Sequence, residues 1–268
     1  MSRMKILVCV KHVPKEEDMK LDPVTKTLIR GGEGEISAMD KYALEIAARL
    51  KEKKGASVMV ISMGLPASNA TLKYALSVGG DEAFLLSDRP LGGSDAYATA
   101  MALSAAVKKL EAEKGEVFDL VLCGKQASDS DTSLVTPALA ELLNRPHTTA
   151  VLDFEASDDG ITVTRETDTG TETLSLAFPA VLSVGKTVFP FRYPNLKLRL
   201  AANRKPIPVF GIADLGLSPE QVGVPGSLTD VGSSFIPEHE KAGLVIDGSN
   251  ADAAAGELIS ALRAKHII

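Results

Sequence analysis

Residues 119–143 read DLVLCGKQASDSDTSLVTPALAELL, and this stretch decides the fold. Its first six residues form an apolar run ending in Gly124, its middle is rich in hydroxyls and carboxylates, and its end has amphipathic helical spacing. A buried strand that leads into a helix presents unpaired backbone N–H groups at the first helical turn, and such groups suit phosphate or another anion. Ser130 or Asp131 stands where a helix cap is expected, and Gln126, Ser128, Thr132 and Ser133 add further hydrogen-bonding groups. Two readings stay open: a well-capped surface helix and a nucleotide site.

Upstream, the same alternation repeats. Apolar, β-rich runs at 5–10 (KILVCV), 57–63 (SVMVISM) and 82–87 (EAFLLS) read as strands. Helical periods fill 37–53, 68–78 and 94–113 between them. Strands apolar along their whole length suit a parallel sheet covered on both faces, so the expected class is α/β.

Downstream of Asn144-Arg145-Pro146 the texture changes. VLDFEAS, a DDG turn, ITVTRET, a DTG turn and TETLSLAF read as an antiparallel meander over about 147–178. PAVLSVG (179–185) reads as another core strand, and 186–208 is Pro-, Arg- and aromatic-rich with no clear period. A polar arm from 227 to 248 ends in AGLVI, and ADAAAGELISALRAK (251–265) reads as a closing helix that packs on its own domain or wraps a partner. The expected division is an α/β domain at 1–226, with a loop at about 186–206, and an arm with its helix at 227–268.

Composition excludes several classes. A net charge of −6 in 268 residues argues against a nucleic-acid partner. The chain has no Trp, which removes the best stacking platform for single strands. No apolar run reaches the length of a membrane span, and the apolar start lacks a small-residue cleavage site. Cys9 and Cys123 have no ligand-spaced partners and the four histidines are scattered, so no metal site is expected. The default location is a reducing cytoplasm.

Polar loops follow each of the first four strands and precede helices. In open α/β sheets ligands sit outside the carboxyl ends of the strands, near the switch in strand order, so these loops would converge on one cleft. Cys9 and Val10 would offer backbone groups to an adenine there. Asp40 either meets a ribose hydroxyl or complements a helix dipole. Gly92 and Gly93, before Ser94 and Asp95, either let the backbone approach a diphosphate or form a plain loop with Ser94 as helix cap. No hydrolase, metalloprotease or dinucleotide fingerprint is present, so chemistry would be carried by a bound cofactor.

Four stretches together resemble one family: KILVCVKHVP, ISAMDKYALEIAARL, CGKQASDSDTSLVTPALAELL and, most specifically, VTRETDTGTETLSLAFPAVLSV at 163–184. They are similar to the β subunit of electron-transfer flavoproteins over nearly the whole chain. The family signature falls on Val163, Arg165, Asp168, Gly170, Glu172, Leu174 and residues 179–182.

The resemblance implies a mostly parallel sheet of nucleotide-binding (adenine nucleotide hydrolase-like) type, with the antiparallel meander and a C-terminal partner-binding arm. It places an adenine nucleotide on Cys9, Asp40, Ser62, Gly124, Gln126, Ala127, Asp131 and Thr132. That nucleotide is AMP in simple electron carriers and FAD in electron-bifurcating members. SDRPLGGSDAYATA resembles the bifurcating group, with Gly93, Asp95 and Thr99 at the FAD and NADH as electron donor. Arg165 would face an anionic flavin ring, or else be an exposed strand cation.

The implied partners are an α subunit carrying another FAD, embraced by the arm, a ferredoxin or flavodoxin, and an acyl-CoA dehydrogenase-type protein. The last would dock on FRYPNLKLRL through Arg192, Tyr193 and the apolar anchor Leu196. Leu134 stands where the family has a polar group, and TVFPFRYP and LAANRK depart from its docking sequence. A simple carrier with structural AMP, or a nucleotide-binding sensor module, are the alternatives.

Overall fold

The apolar runs of the first half lie side by side as parallel strands in a computed structural model that describes residues 3–15, 34–232 and 243–268. Strands β1 (Lys5–Cys9), β4 (Ser57–Met63), β5 (Glu82–Leu86), β6 (Leu120–Gly124) and β10 (Ala180–Val184) are apolar on both faces. They share one nine-stranded sheet with β7 (His147–Ala156), β8 (Gly160–Thr167), β9 (Gly170–Ala177) and β11 (Val209–Phe210). The order is β11-β5-β4-β1-β6-β10-β7-β8-β9, parallel from β11 to β7 and antiparallel at β8 and β9. The meander is therefore the continuation of the main sheet.

Helices α1 (Ala38–Lys54) and α2 (Asn69–Val78) cover one face. There Ile46, Leu50 and Leu72 pack on Ile6, Val8, Val60 and Leu122. Helices α3 (Ala96–Lys114) and α4 (Val135–Leu143) cover the other, with Leu103, Leu110 and Leu139 against Leu7, Ile61 and Val121. Each fully buried Leu or Ile contributes about 1.5–3 kcal/mol of transfer free energy, so the two faces together are the main source of stability. Alternation along each strand sends every other side chain to the opposite layer.

The chain runs from β1 through β4 to β5 on one side, then crosses to β6 and builds β10 and β7 on the other. The switch in strand order therefore lies between β1 and β6, which pair in register from Ile6↔Leu120 to Val8↔Leu122. An open crevice at the carboxyl ends of these two strands is the expected ligand position for such a sheet.

Several elements differ from the sequence expectations. A two-stranded ribbon of β2 (His12–Pro14) and β3 (Gly34–Ile36) stands where a loop is expected after β1. Part of that loop, from residue 16, lies outside the described residues, as do 233–242 of the arm. A helix, α5 (Leu196–Arg204), occupies the segment without clear period, capped by Asn195 Oδ1 accepting from Leu198 N at 2.9 Å. Helix α3 is capped by Asp95, which accepts from Ala98 N, and not by Ser94. Helix α4 begins only at Val135, and neither Ser130 nor Asp131 caps it.

Contacts divide the chain into Met1–Gly232 and Ser233–Ile268. The first unit ends after a short helix, α6 (Gly223–Gly226). In the second, α7 (Ala251–Ala264) is capped by Asn250 Oδ1, which accepts from Asp252 N and Ala253 N. Among the described residues, no helix is long and apolar enough to cross a membrane.

Candidate functional site

Asp40 stands where the carboxyl ends of β1 and β6 come together. It comes from the first turn of α1, is 6% exposed, and bridges the two strand ends: Oδ2 accepts from Lys11 N at 2.7 Å and Oδ1 from Gly124 N at 3.1 Å. A Cβ at Gly124 would stand 2.9 Å from the backbone N of Asp40 and nearer still to its carboxylate. Glycine at 124 thus follows from the close approach of β6 to α1. Burial pushes the Asp40 carboxyl up to about 7, against the opposing pull of the Lys11 and Gly124 N–H groups and the Lys11 charge.

The loop after β6 folds over this point. Lys11 Nζ donates to Asp129 Oδ1 at 2.6 Å, joining the residues beyond β1 to the loop beyond β6. Gln126 accepts twice, through its carbonyl from Ser37 Oγ at 3.4 Å and through Oε1 from Ser133 Oγ at 3.2 Å. Ala127 O accepts from both Ser130 N and Asp131 N, closing a tight turn. Asp131 and Ser133 then adopt left-handed φ of 50° and 56°, which keeps the chain out of the helix until Val135. Asp131 and Thr132 are exposed on the outside of this turn.

Two observations fit an anionic, hydroxyl-bearing ligand here. Helix α4 has no side-chain cap, and among the described residues the N–H groups of Val135 and Thr136 have no acceptor. Ser62, at the end of β4, is 1% exposed and its Oγ has no hydrogen-bond partner. It shares the α1–α2 face with Val58 and Val60, beside the end of β1, where Val10 N donates to Ile61 O. A buried hydroxyl without a partner is uncommon and asks for a group to complete it.

Cys9 and Cys123 are adjacent across β1 and β6, which sequence separation concealed. The neighbouring Cys123 thiol, and then burial, push the Cys9 thiol well up. Sequence reading also missed Lys11 and Asp129 as a pair; Lys11 in KHVP was visible, but its partner is 118 positions away. Among the described residues, no cluster of His, Cys, Asp or Glu could hold a metal ion.

The remaining candidates lie elsewhere or are engaged. The Asp95 carboxylate caps α3 through Oδ1, and its Oδ2 accepts from Leu228 N, Thr229 N and Thr229 Oγ1 at 2.9–3.0 Å. Burial pushes Asp95 up, but these donors hold it below its ordinary value. Gly93 has φ +78°, and a Cβ there would stand 2.6 Å from Val224 Cγ2 of α6. Thr99 N makes an ordinary first-turn bond to Asp95 O. Arg165 sits on β8, donating to Thr149 O at 3.1 Å and to Glu172 Oε1 at 2.9 Å. Arg192 is bound to α1, whereas Tyr193 and Leu196 are 78% and 73% exposed.

Comparison with known proteins covers nearly the whole chain. The family model described as "Electron transfer flavoprotein domain" matches residues 25–215. The electron transfer flavoprotein subunit beta of Thermoanaerobacterium thermosaccharolyticum is 40% identical over 267 residues, 99% of this chain and 100% of that relative. The protein of the same description from Megasphaera elsdenii is 39% identical, again over 99% of this chain and 100% of the relative. The caffeyl-CoA reductase-Etf complex subunit CarD of Acetobacterium woodii is also 39% identical, at the same coverage of both.

Proposed function

Because the chain belongs to the electron transfer flavoprotein family, among its β subunits, we propose that it holds an FAD in the crevice between β1 and β6. With an α subunit it would take electrons from NADH and divide them between a ferredoxin or flavodoxin and an acyl-CoA dehydrogenase-type partner. Its place of work would be the cytoplasm. The observation that carries the nucleotide part is the orphaned Ser62 hydroxyl at the carboxyl end of β4, to which the uncapped start of α4, after the carboxyl end of β6, adds a second open polar end. The first suits a sugar or base edge and the second a phosphate.

The chain's own part in such a site is to bind and orient. Val135 and Thr136 N–H groups would meet the phosphate, and Ser62, the Cys9 backbone and Ala127 would line the adenosine. Gln126, Asp131 and Thr132 would hold the loop side. Asp40 ties the two strand ends together, and Lys11 with Asp129 joins the residues beyond β1 to the loop beyond β6. Bound FAD would supply the one- and two-electron chemistry, and protein charge and hydrogen bonding near it set its potentials. Arg165 is the cation proposed to act on the flavin ring.

A second reading, a simple carrier with structural AMP, has one observation in its favour. Asp95 is already committed to one helix cap and three donors from Leu228 and Thr229. It would have to leave Leu228 and Thr229 to turn toward a flavin.

Flavin content separates the readings. The heterodimer, co-expressed and purified, is assayed for FAD and AMP and then mixed with NADH without oxygen. Two FAD, one of them rapidly reduced, is the expected result. One FAD with one AMP and no response to NADH would establish the simple carrier, and absence of both nucleotides would end both readings.

A further inference from the structure

The segment 186–206 contains six basic and no acidic residues. Within it Tyr193, Leu196, Leu198 and Leu200 are all exposed. An exposed apolar run of this kind has few contacts of its own to hold one conformation. Here it is fastened at both ends.

At the first end the Arg192 guanidinium lies fork to fork on two carboxylates of α1. Its Nε is 2.8 Å and its Nη2 3.2 Å from the two oxygens of Glu45, and its Nη1 is 2.6 Å and Nη2 3.3 Å from those of Glu52. Arg192 N also donates to Glu45 Oε2, and Arg49 Nε to Glu45 Oε1 at 2.7 Å. Arg49 in turn stacks 4.1 Å from the centre of the Phe189 ring. Burial pushes Glu45 up, but Arg192 and Arg49 hold it below its ordinary value, so the pair stays ionised at neutral pH. At the other end Lys73 of α2 donates to Ala202 O and Asn203 O at 3.1 Å and to Lys205 O, tying down the carboxyl end of α5.

We infer that Arg192 is a positioning residue, which presets the segment so that Leu196 and its apolar neighbours meet a partner while Arg192 itself does not. This rests on the docking reading given above. The partner face that fits is an apolar cleft rimmed by carboxylates, since Lys197 and Arg199 lie among the exposed leucines and, among the described residues, have no ion-pair partner. A guanidinium forked on two carboxylates has little left to offer a third. Its contribution is ordering before encounter, which removes part of the entropy cost of binding. Lysine, a single point charge, cannot reproduce two forks.

The test uses the heterodimer, with an acyl-CoA dehydrogenase and its acyl-CoA as the electron-donating probe. Arg192→Lys should speed amide exchange over 193–204 and raise KM for the dehydrogenase by about tenfold, with kcat within about twofold. Glu52→Gln, at an exposed position where folding is not at stake, should move both in the same direction by less. Leu196→Ala should raise KM with exchange unchanged. Wild-type KM in Arg192→Lys and Glu52→Gln, with a raised KM in Leu196→Ala, would overturn the positioning role and leave docking standing. A raised KM in Arg192→Lys without faster exchange would make Arg192 a direct contact and also overturn the role. Unchanged KM in Leu196→Ala would remove the docking reading and the inference with it.

Discussion

Asp40 carries opposing demands in one carboxyl: burial favours its neutral form, and two backbone N–H groups favour its ionised form. With burial the larger, it shifts from 3.8 to about 7, so between those values the folded chain keeps a proton that the unfolded chain has released. Stability then falls as pH rises across that window and is flat, for this group, above it. Asn at 40 has no such titration. The stability of wild type relative to Asp40→Asn should decline between about pH 5 and 7 by an amount on the order of 1–4 kcal/mol and level off above. Thermal midpoints of the two heterodimers against pH check this, and a pH-independent difference would sink it. Ser62 makes the opposite kind of prediction. Its hydroxyl is buried without a partner, a cost of about 1–3 kcal/mol. Ser62→Ala should therefore raise the nucleotide-free midpoint by roughly 2–4 °C while weakening nucleotide binding about fivefold. Affinity equal to wild type would remove Ser62 from the site.

Among the elements, the parallel strands were legible because each is apolar on both faces, and the meander because DDG and DTG turns separate its strands. Helix α5 was not, because Leu196, Leu198 and Leu200 alternate with period two, which a helix spreads around its surface. The Asn195 cap, the Lys73 tie and the Arg192 forks hold it, and only the cap was visible in sequence. The start of α4 was misplaced for a related reason. Ser130 and Asp131 have cap chemistry, but the Ala127 turn and the left-handed residues 131 and 133 keep them off the helix axis. That loop leaves the α4 N-terminus open, which gives an element-scale prediction. AMP or FAD should slow amide exchange at residues 134–136 of the nucleotide-free heterodimer, and adenosine, which lacks the phosphate, should not. Equal protection by adenosine would place the phosphate away from α4. Candidate site residues can be picked out one by one in the sequence, since strand-end glycines and first-turn acids announce themselves. Their pairings, Asp40 with Gly124 and Lys11 with Asp129, come from the parallel pairing of β1 with β6 and have no local signal.

At the scale of the molecule, the two units differ in what holds them. The first has apolar layers on both faces of its sheet, whereas α7 in the second has no buried residue, and Leu244, Val245, Leu258, Ile259, Ile267 and Ile268 are exposed. A 14-residue helix with a good cap is marginal in water without a packed face. Its apolar side chains would gain from a covering surface, and the α subunit that membership among the β subunits implies is the one we propose. Asp95 closes the first unit at its exit: Asp95 N donates to Ser227 Oγ, and its carboxylate holds Leu228 and Thr229 just before the division at residue 232. Removing 233–268 should thus leave the sheet unit intact but abolish heterodimer formation, and the full chain expressed alone should self-associate and bind a hydrophobic dye. Size exclusion with light scattering reads both. A full chain that runs as a dye-free monomer at high concentration, or a truncated chain that still captures the α subunit, would show that the arm is not the partner's handhold.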